Sequence, residues 1–223
     1  MEGLSNPARQ IINLLSTLEI LNEYQLIGGT ALSLQINHRL SEDLDFCRWV
    51  PSKDVKYGIN AKQIHLELKD KFGEVEINHL DFFQVNFVIN DPGVRITFYH
   101  TDLRKPNLHP LHLLGNIFIA SKEVLGGSKL YVITQRNEIR DYYDVYILLK
   151  NDHAKLEDII EQAQNLSSEA NPRSLFRKLS KFNIARFDLD RFEYLNPRYK
   201  VEHDQYQQFF NNLALEIQAK YLK

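Results

Sequence analysis

Asp43 and Asp45, separated only by Leu44, are the residues of this sequence best placed to do chemistry. In an extended chain alternate side chains share a face, so the two carboxylates converge while Leu44 and Phe46 turn the other way. Close like charges repel, and a divalent cation relieves that repulsion. Hard oxygen ligands suit Mg²⁺, which takes one or two protein carboxylates and completes its shell with substrate phosphate. On its own, an Asp-x-Asp is more often the outer face of a solvated strand edge. Gly28-Gly29-Thr30, a short way upstream, changes the reading. Two glycines between a strand and a helix let backbone approach a ligand, and the helix N-terminus offers N–H groups to a phosphate. Thr30 adds a hydroxyl donor or caps the helix. Together these residues describe a phosphate cradle facing a metal site. Nucleotidyl transfer needs that arrangement: triphosphate held, α-phosphorus polarised, and pyrophosphate leaving with its charge neutralised.

A second group lies further along the chain. Lys129 and Arg136 stand i, i+7, so both can reach one phosphate-rich cleft. Asp141 and Asp144 stand i, i+3 and share a helix face. Either carboxylate could orient Lys129 or Arg136, or act as base for an acceptor hydroxyl. A buried salt bridge of Arg136 with Asp141 or Asp144 is the structural alternative. Near the first acids, His38 is read as a residue favoured by the helix C-terminal dipole or as support for a metal site. The remaining histidines lack metal-ligand spacing.

These residues need elements to position them. A helix opens at Asn6-Pro7, and a strand at 25–27 runs into Gly28-Gly29 and a helix over about 30–37. Further strands are expected at 43–50, 75–79, 82–89, 94–99 and 116–120, with a helix at 62–72. Asp91-Pro92-Gly93 marks the turn of a hairpin. Helices dominate from Ser121 onward, at about 121–135, 140–150, 155–165, 173–181 and 205–222, and the change of texture near 150–153 suggests a boundary between lobes.

Composition sets the class. The 223 residues are 43% hydrophobic and 25% charged, with 9 Gly and 7 Pro, which excludes collagenous, low-complexity and disordered chains. A single cysteine, Cys47, precludes an intrachain disulfide or a cysteine-built zinc site. The net charge of −2 is not that of a polycation, and neither a signal peptide nor an 18-residue apolar run is present, so a cytoplasmic chain without membrane contact is expected. Residues 171–200 are locally basic and interleave Arg173, Arg177, Lys181 and Arg186 with Phe176, Phe182, Phe187, Phe192 and Tyr194. Such a stretch can bind phosphates and stack bases, though its aromatics are more often the core of a small helical lobe.

The segment Ile27-Gly28-Gly29-Thr30-Ala31-Leu32 through His38-Arg39-Leu40-Ser41-Glu42-Asp43-Leu44-Asp45-Phe46 resembles the first motif of the AbiEii/AbiGii-type nucleotidyltransferases, within the DNA polymerase β-like superfamily. Ser128-Lys129-Leu130, Arg136 and the run Arg140–Tyr146 are similar to the family's later motifs, in the same order. The resemblance implies an α+β fold: a polymerase β-like nucleotidyltransferase lobe, a mixed sheet flanked by helices, over residues 1–150, then a helical lobe over 151–223. It implies a toxin of a toxin–antitoxin or phage-defence pair that transfers an NMP from an NTP to an acceptor hydroxyl, in tRNA or another RNA, with Mg²⁺ as cofactor and a separately encoded antitoxin as partner. Asp43 and Asp45 would hold the metal, Gly28, Gly29 and Thr30 would cradle phosphate, Lys129 would bind the triphosphate with Arg136 beside it, and Asp141 would complete the catalytic set. One departure stands out. Superfamily enzymes usually carry a third carboxylate on a neighbouring strand, and alternation puts Thr97 there; Asp81, Asp102 or Asp141 are the candidates to replace it. Two alternatives stay open: NMP transfer to a protein side chain, and a degenerate fold that binds NTP without turnover.

Overall fold

Val85, Phe87 and Ile89 alternate with Gln84, Asn86 and Val88, and this period of two builds one buried and one half-buried sheet face. The computed structural model describes residues 1–107, 109–187, 197–199 and 202–222. The chain divides into two units, residues 1–104 with 108–121, and residues 105–107 with 122–223. The first unit holds β1 (Gln25–Ile27), β2 (Leu44–Trp49), β3 (Val75–Leu80), β4 (Gln84–Ile89), β5 (Val94–Thr101), β6 (Leu111–Leu114) and β7 (Ile117–Ile119). They form one mixed sheet in the order β3-β4-β5-β2-β1-β7-β6. β2 runs parallel to β5 and β1 parallel to β7, while the other neighbours are antiparallel.

On the apolar face Leu44, Phe46, Val85, Phe87, Ile96 and Phe98 are buried. Phe46 stacks on Phe98 at 5.4 Å, and Phe87 meets Phe98 edge-on at 6.1 Å. Each such side chain contributes about 1.5–3 kcal/mol when fully buried. Three helices complete the unit: α1 (Asn6–Leu15), α2 (Gly28–Ile36) and α3 (Ala61–Phe72). Ser5 caps α1 by accepting from the Ala8 amide at 3.3 Å, with Pro7 in the first turn. Ile64 and Leu68 of α3 are buried, and His65 stacks on Phe87 at 5.9 Å.

The expected mixed sheet and its helices are present, with three local differences. β6 was not foreseen: it is an edge strand behind Pro110 whose residues are exposed or half-buried, so no alternation marks it. α2 begins at Gly28 rather than Thr30, so the glycines are its first turn. Asp43 stands one residue ahead of β2.

The second unit contains α4 (Lys122–Gln135), α5 (Ile139–Lys150), α6 (Leu156–Leu166), α7 (Pro172–Leu179) and α8 (His203–Tyr221). α4 lies so close to α6 that a Cβ on Gly127 would come within 2.6 Å of the Gln162 Cβ. The ring of Tyr142 from α5 is surrounded by Phe182 at 4.8 Å, Phe210 at 5.2 Å and Phe187 at 5.5 Å. Because α4 and α5 pack with the later helices, the division between units falls at Ser121/Lys122 rather than near residue 150. Phe182 and Phe187 of the basic–aromatic stretch belong to this aromatic core, while Arg173, Arg177, Lys181 and Arg186 are exposed. Phe192 and Tyr194 lie outside the described residues. Among the described residues no helix is long and apolar enough to cross a membrane.

Candidate active site

In the first unit the side chains flanking the start of β2 alternate as expected: Leu44 and Phe46 are buried, and Asp43 and Asp45 are half-buried on the other face. β1 lies antiparallel beside β2 with Ile27 opposite Asp45, which delivers the first turn of α2 to the same place. Gly28 has φ +71°, a left-handed conformation that favours glycine, and a Cβ there would stand 3.1 Å from the Asp45 Oδ2. A Cβ on Gly29 would lie 2.1 Å from Nη2 of Arg39, a residue 4% exposed. Gly29 therefore makes room for a buried guanidinium beside the helix start. In the sequence the only signal for this packing is that an arginine follows the glycine pair by ten residues.

Thr30 is placed differently from the expectation of a free phosphate donor. Its hydroxyl is buried, donates to the carbonyl oxygen of Asp43, and lies 2.6 Å from Ser41 Oγ. With a single proton to give, it accepts from Ser41. Thr30 thus ties α2 to the residue that carries the first acid. That acid has a partner of its own: Nε of Arg95 donates to Asp43 Oδ1 at 3.2 Å and Nη2 donates to Oδ2, a forked ion pair. The carboxylate in turn helps hold the Arg95 guanidinium in its charged form.

Thr97 stands beside Asp45 in the β2–β5 register, at the position where the superfamily's third carboxylate is expected. Of the three candidates to replace it, the two in this unit, Asp81 and Asp102, do not take its place. Asp81 caps the β3–β4 turn, accepting from the amides of Phe83 at 2.6 Å and Gln84 at 2.7 Å. Asp102 joins no cluster, and among the described residues no group of three His, Cys, Asp or Glu is poised to hold a metal. Two carboxylates on one face next to a helix start nonetheless fit a cation that draws its remaining ligands from water and phosphate.

The second unit brings its four expected residues together. Lys129 lies within α4, Arg136 just past its end, and Asp141 and Asp144 on one face of α5, both with 0% exposure. Nζ of Lys129 is 2.8 Å from Asp141 Oδ1 and 2.7 Å from Asp144 Oδ2. Arg136 Nε donates to Asp141 Oδ2 at 2.8 Å and Nη2 to Oδ1 at 3.2 Å. Burial alone would raise the Asp141 carboxyl, but the charges and hydrogen bonds of Lys129 and Arg136 outweigh it and hold it below its ordinary value. Asp141 therefore orients both cations, and the salt-bridge reading describes the same contact.

The sequence matches the family described as "Nucleotidyl transferase AbiEii toxin, Type IV TA system" over residues 15–220. The chain belongs to this family of nucleotidyltransferase toxins, and it is an enzyme of the nucleotidyltransferase class. Membership implies a nucleotide substrate and a cognate antitoxin. An uncharacterised protein of Aquifex aeolicus (strain VF5) is 29% identical over 168 residues, 73% of this chain and 76% of that one. Among solved structures, JHP933 from Helicobacter pylori is similar at a TM-score of 0.57 and 20% identity, covering 97% of this chain and 94% of its own. MenT4, a nucleotidyltransferase toxin from Mycobacterium tuberculosis H37Rv, is similar at a TM-score of 0.55 and 14% identity, covering 96% and 84%. At these identities the likeness is one of fold.

Proposed function

We propose that the chain transfers an NMP from an NTP to an acceptor hydroxyl of RNA, with tRNA as the leading acceptor, and releases pyrophosphate. One observation carries the reading: Asp43 and Asp45 share a sheet face, and the glycine-built first turn of α2 abuts Asp45. Asp43 and Asp45 are the residues that would hold Mg²⁺, which when bound polarises the α-phosphate and neutralises the leaving pyrophosphate. The Gly28 and Gly29 amides, pointing out of the first turn, bind triphosphate oxygens. Thr30 acts as a positioning residue, because its hydroxyl fixes the Asp43 backbone. On the family resemblance, Lys129 and Arg136 bind the triphosphate and Asp141 orients them. The exposed basic residues of 173–186 offer phosphate contacts to an RNA.

Thr97 beside Asp45 favours one competing reading, NTP binding without turnover, since threonine is no base. The deciding experiment incubates the protein with each α-labelled NTP, Mg²⁺ and total tRNA, next to an Asp43→Ala/Asp45→Ala control. Label in tRNA that requires both acids supports the proposal and identifies the base. Label on protein moves the acceptor to a side chain, and nucleotide binding without label establishes the competing reading.

A further inference from the structure

The β2–β5 ladder pairs Leu44 with Ile96 and Asp45 with Thr97. One step back along it, Asp43 stands beside Arg95, whose guanidinium forks onto both carboxylate oxygens. The strand that would supply a further carboxylate thus sets Thr97 beside Asp45 in register and gives Asp43 a cation. With Asp43 neutralised by Arg95, the acids make a weakened site for a prospective divalent ion. That is a poor trap for a bare cation.

The geometry points to Arg95 as a nucleotide-responsive latch: it occupies Asp43 until a triphosphate arrives, then moves its guanidinium to phosphate oxygens, so that metal is captured only together with nucleotide. This rests on the proposed NTP site. Three features support the exchange. A guanidinium fork matches phosphate as well as it matches carboxylate. The Arg95 side chain is 52% exposed, so it can swing without unpacking the core. The competing bond is weak enough to yield, because an ion pair this exposed amounts to less than about tenfold in an equilibrium. The Asp43 backbone meanwhile stays fixed through Thr30, so the released carboxylate keeps its place.

Mn²⁺ binding to the full chain, followed by electron paramagnetic resonance, tests the latch without requiring turnover. The wild-type chain should bind Mn²⁺ weakly alone and at least about tenfold more tightly with a non-hydrolysable α,β-methylene NTP analogue. Arg95→Gln should tighten binding of Mn²⁺ alone by about three- to tenfold and lose most of the analogue-dependent gain. Arg95→Lys, which keeps charge but not the fork, should fall between them. Unchanged or weaker Mn²⁺ binding by Arg95→Gln overturns the latch while leaving the site intact. Mn²⁺ binding that survives Asp43→Asn with Asp45→Asn overturns the site itself, and the latch with it.

Discussion

Asp43 with Asp45 and Asp141 with Asp144 are both aspartate pairs at close spacing, and their surroundings differ in kind. Asp43 and Asp45 sit half-buried at the start of a strand, and the partner of Asp43 is an arginine with half its side chain in solvent. Asp141 and Asp144 are sealed on a helix with Lys129 clamped between them and Arg136 on one flank. Removing charges from water costs several kcal/mol per ion, and only mutual pairing with good geometry offsets it. The buried pair is therefore committed to its cations and organises α4 against α5. The half-buried pair kept part of its solvation, and the arginine that holds Asp43 can leave. One pair is poised to exchange ligands, the other to hold a lysine and an arginine in fixed directions.

Two substitutions should separate these roles most sharply. Asp45→Asn should lower NMP transfer by at least about a hundredfold while costing clearly less unfolding free energy than a change in the buried pair, because the half-buried carboxylate keeps part of its solvation. Lys129→Met should do the reverse in stability, costing about 3–5 kcal/mol in urea denaturation as two buried carboxylates lose their shared cation. Adding Asp141→Asn and Asp144→Asn to Lys129→Met should recover part of that loss. A Lys129→Met chain of wild-type stability would show that the knot is not what joins the two helices.

Much of this contrast was legible in the sequence, and the missing part has a common cause. Alternation placed Asp43 and Asp45 on one face and Leu44 and Phe46 on the other, and i, i+3 spacing put Asp141 and Asp144 together, because both patterns are local. The Asp43–Arg95 pair spans 52 residues and depends on the register of two parallel strands. Nothing in a single sequence states a parallel register, since no hairpin turn fixes it. The engagement of Thr30 with the Asp43 carbonyl is hidden for the same reason, since it appears only when the segment after α2 folds back. The boundary near 150 followed a change in local texture, whereas the packing of Gly126 and Gly127 against α6 decides it earlier.

A smaller effect tests how rigidly the exposed pair is framed. Gly29→Ala would drive a methyl group into the Arg39 guanidinium, and because Arg39 is buried the clash has no easy outlet. A loss of about 1–3 kcal/mol in stability is expected, together with reduced transfer. Full activity with unchanged stability would mean that Arg39 can be displaced at no cost, and that Gly29 is there for the turn alone.

The smallest expected effect is one of pH, and it begins at different pH for His100 and for Asp141. His100 in β5 is buried: its Nδ1 donates to the Tyr57 carbonyl at 2.6 Å and its Nε2 accepts from the Tyr24 hydroxyl at 2.7 Å. Burial holds its pKa below the ordinary 6.5. The unfolded chain then binds the proton more readily, so stability falls as pH drops below 6.5 and stops falling below the folded-state value. Asp141, held below its ordinary 3.8, contributes stability that is intact above that value and is lost as pH falls through its folded-state value. Trp49 in β2 is the chain's one tryptophan and reports on the sheet unit. Its fluorescence midpoint in urea should shift to lower urea between about pH 7.5 and about pH 5.5, and His100→Asn should flatten that shift. Over the same interval the wild-type Asp141 carboxylate stays ionised, but in Lys129→Met only Arg136 opposes the upward push of burial, so that chain should regain stability relative to wild type toward about pH 5.5. A Lys129→Met chain with the pH dependence of wild type would show that Lys129 does not hold the buried acids ionised, and would erase the distinction between a committed pair of acids and an exchangeable one.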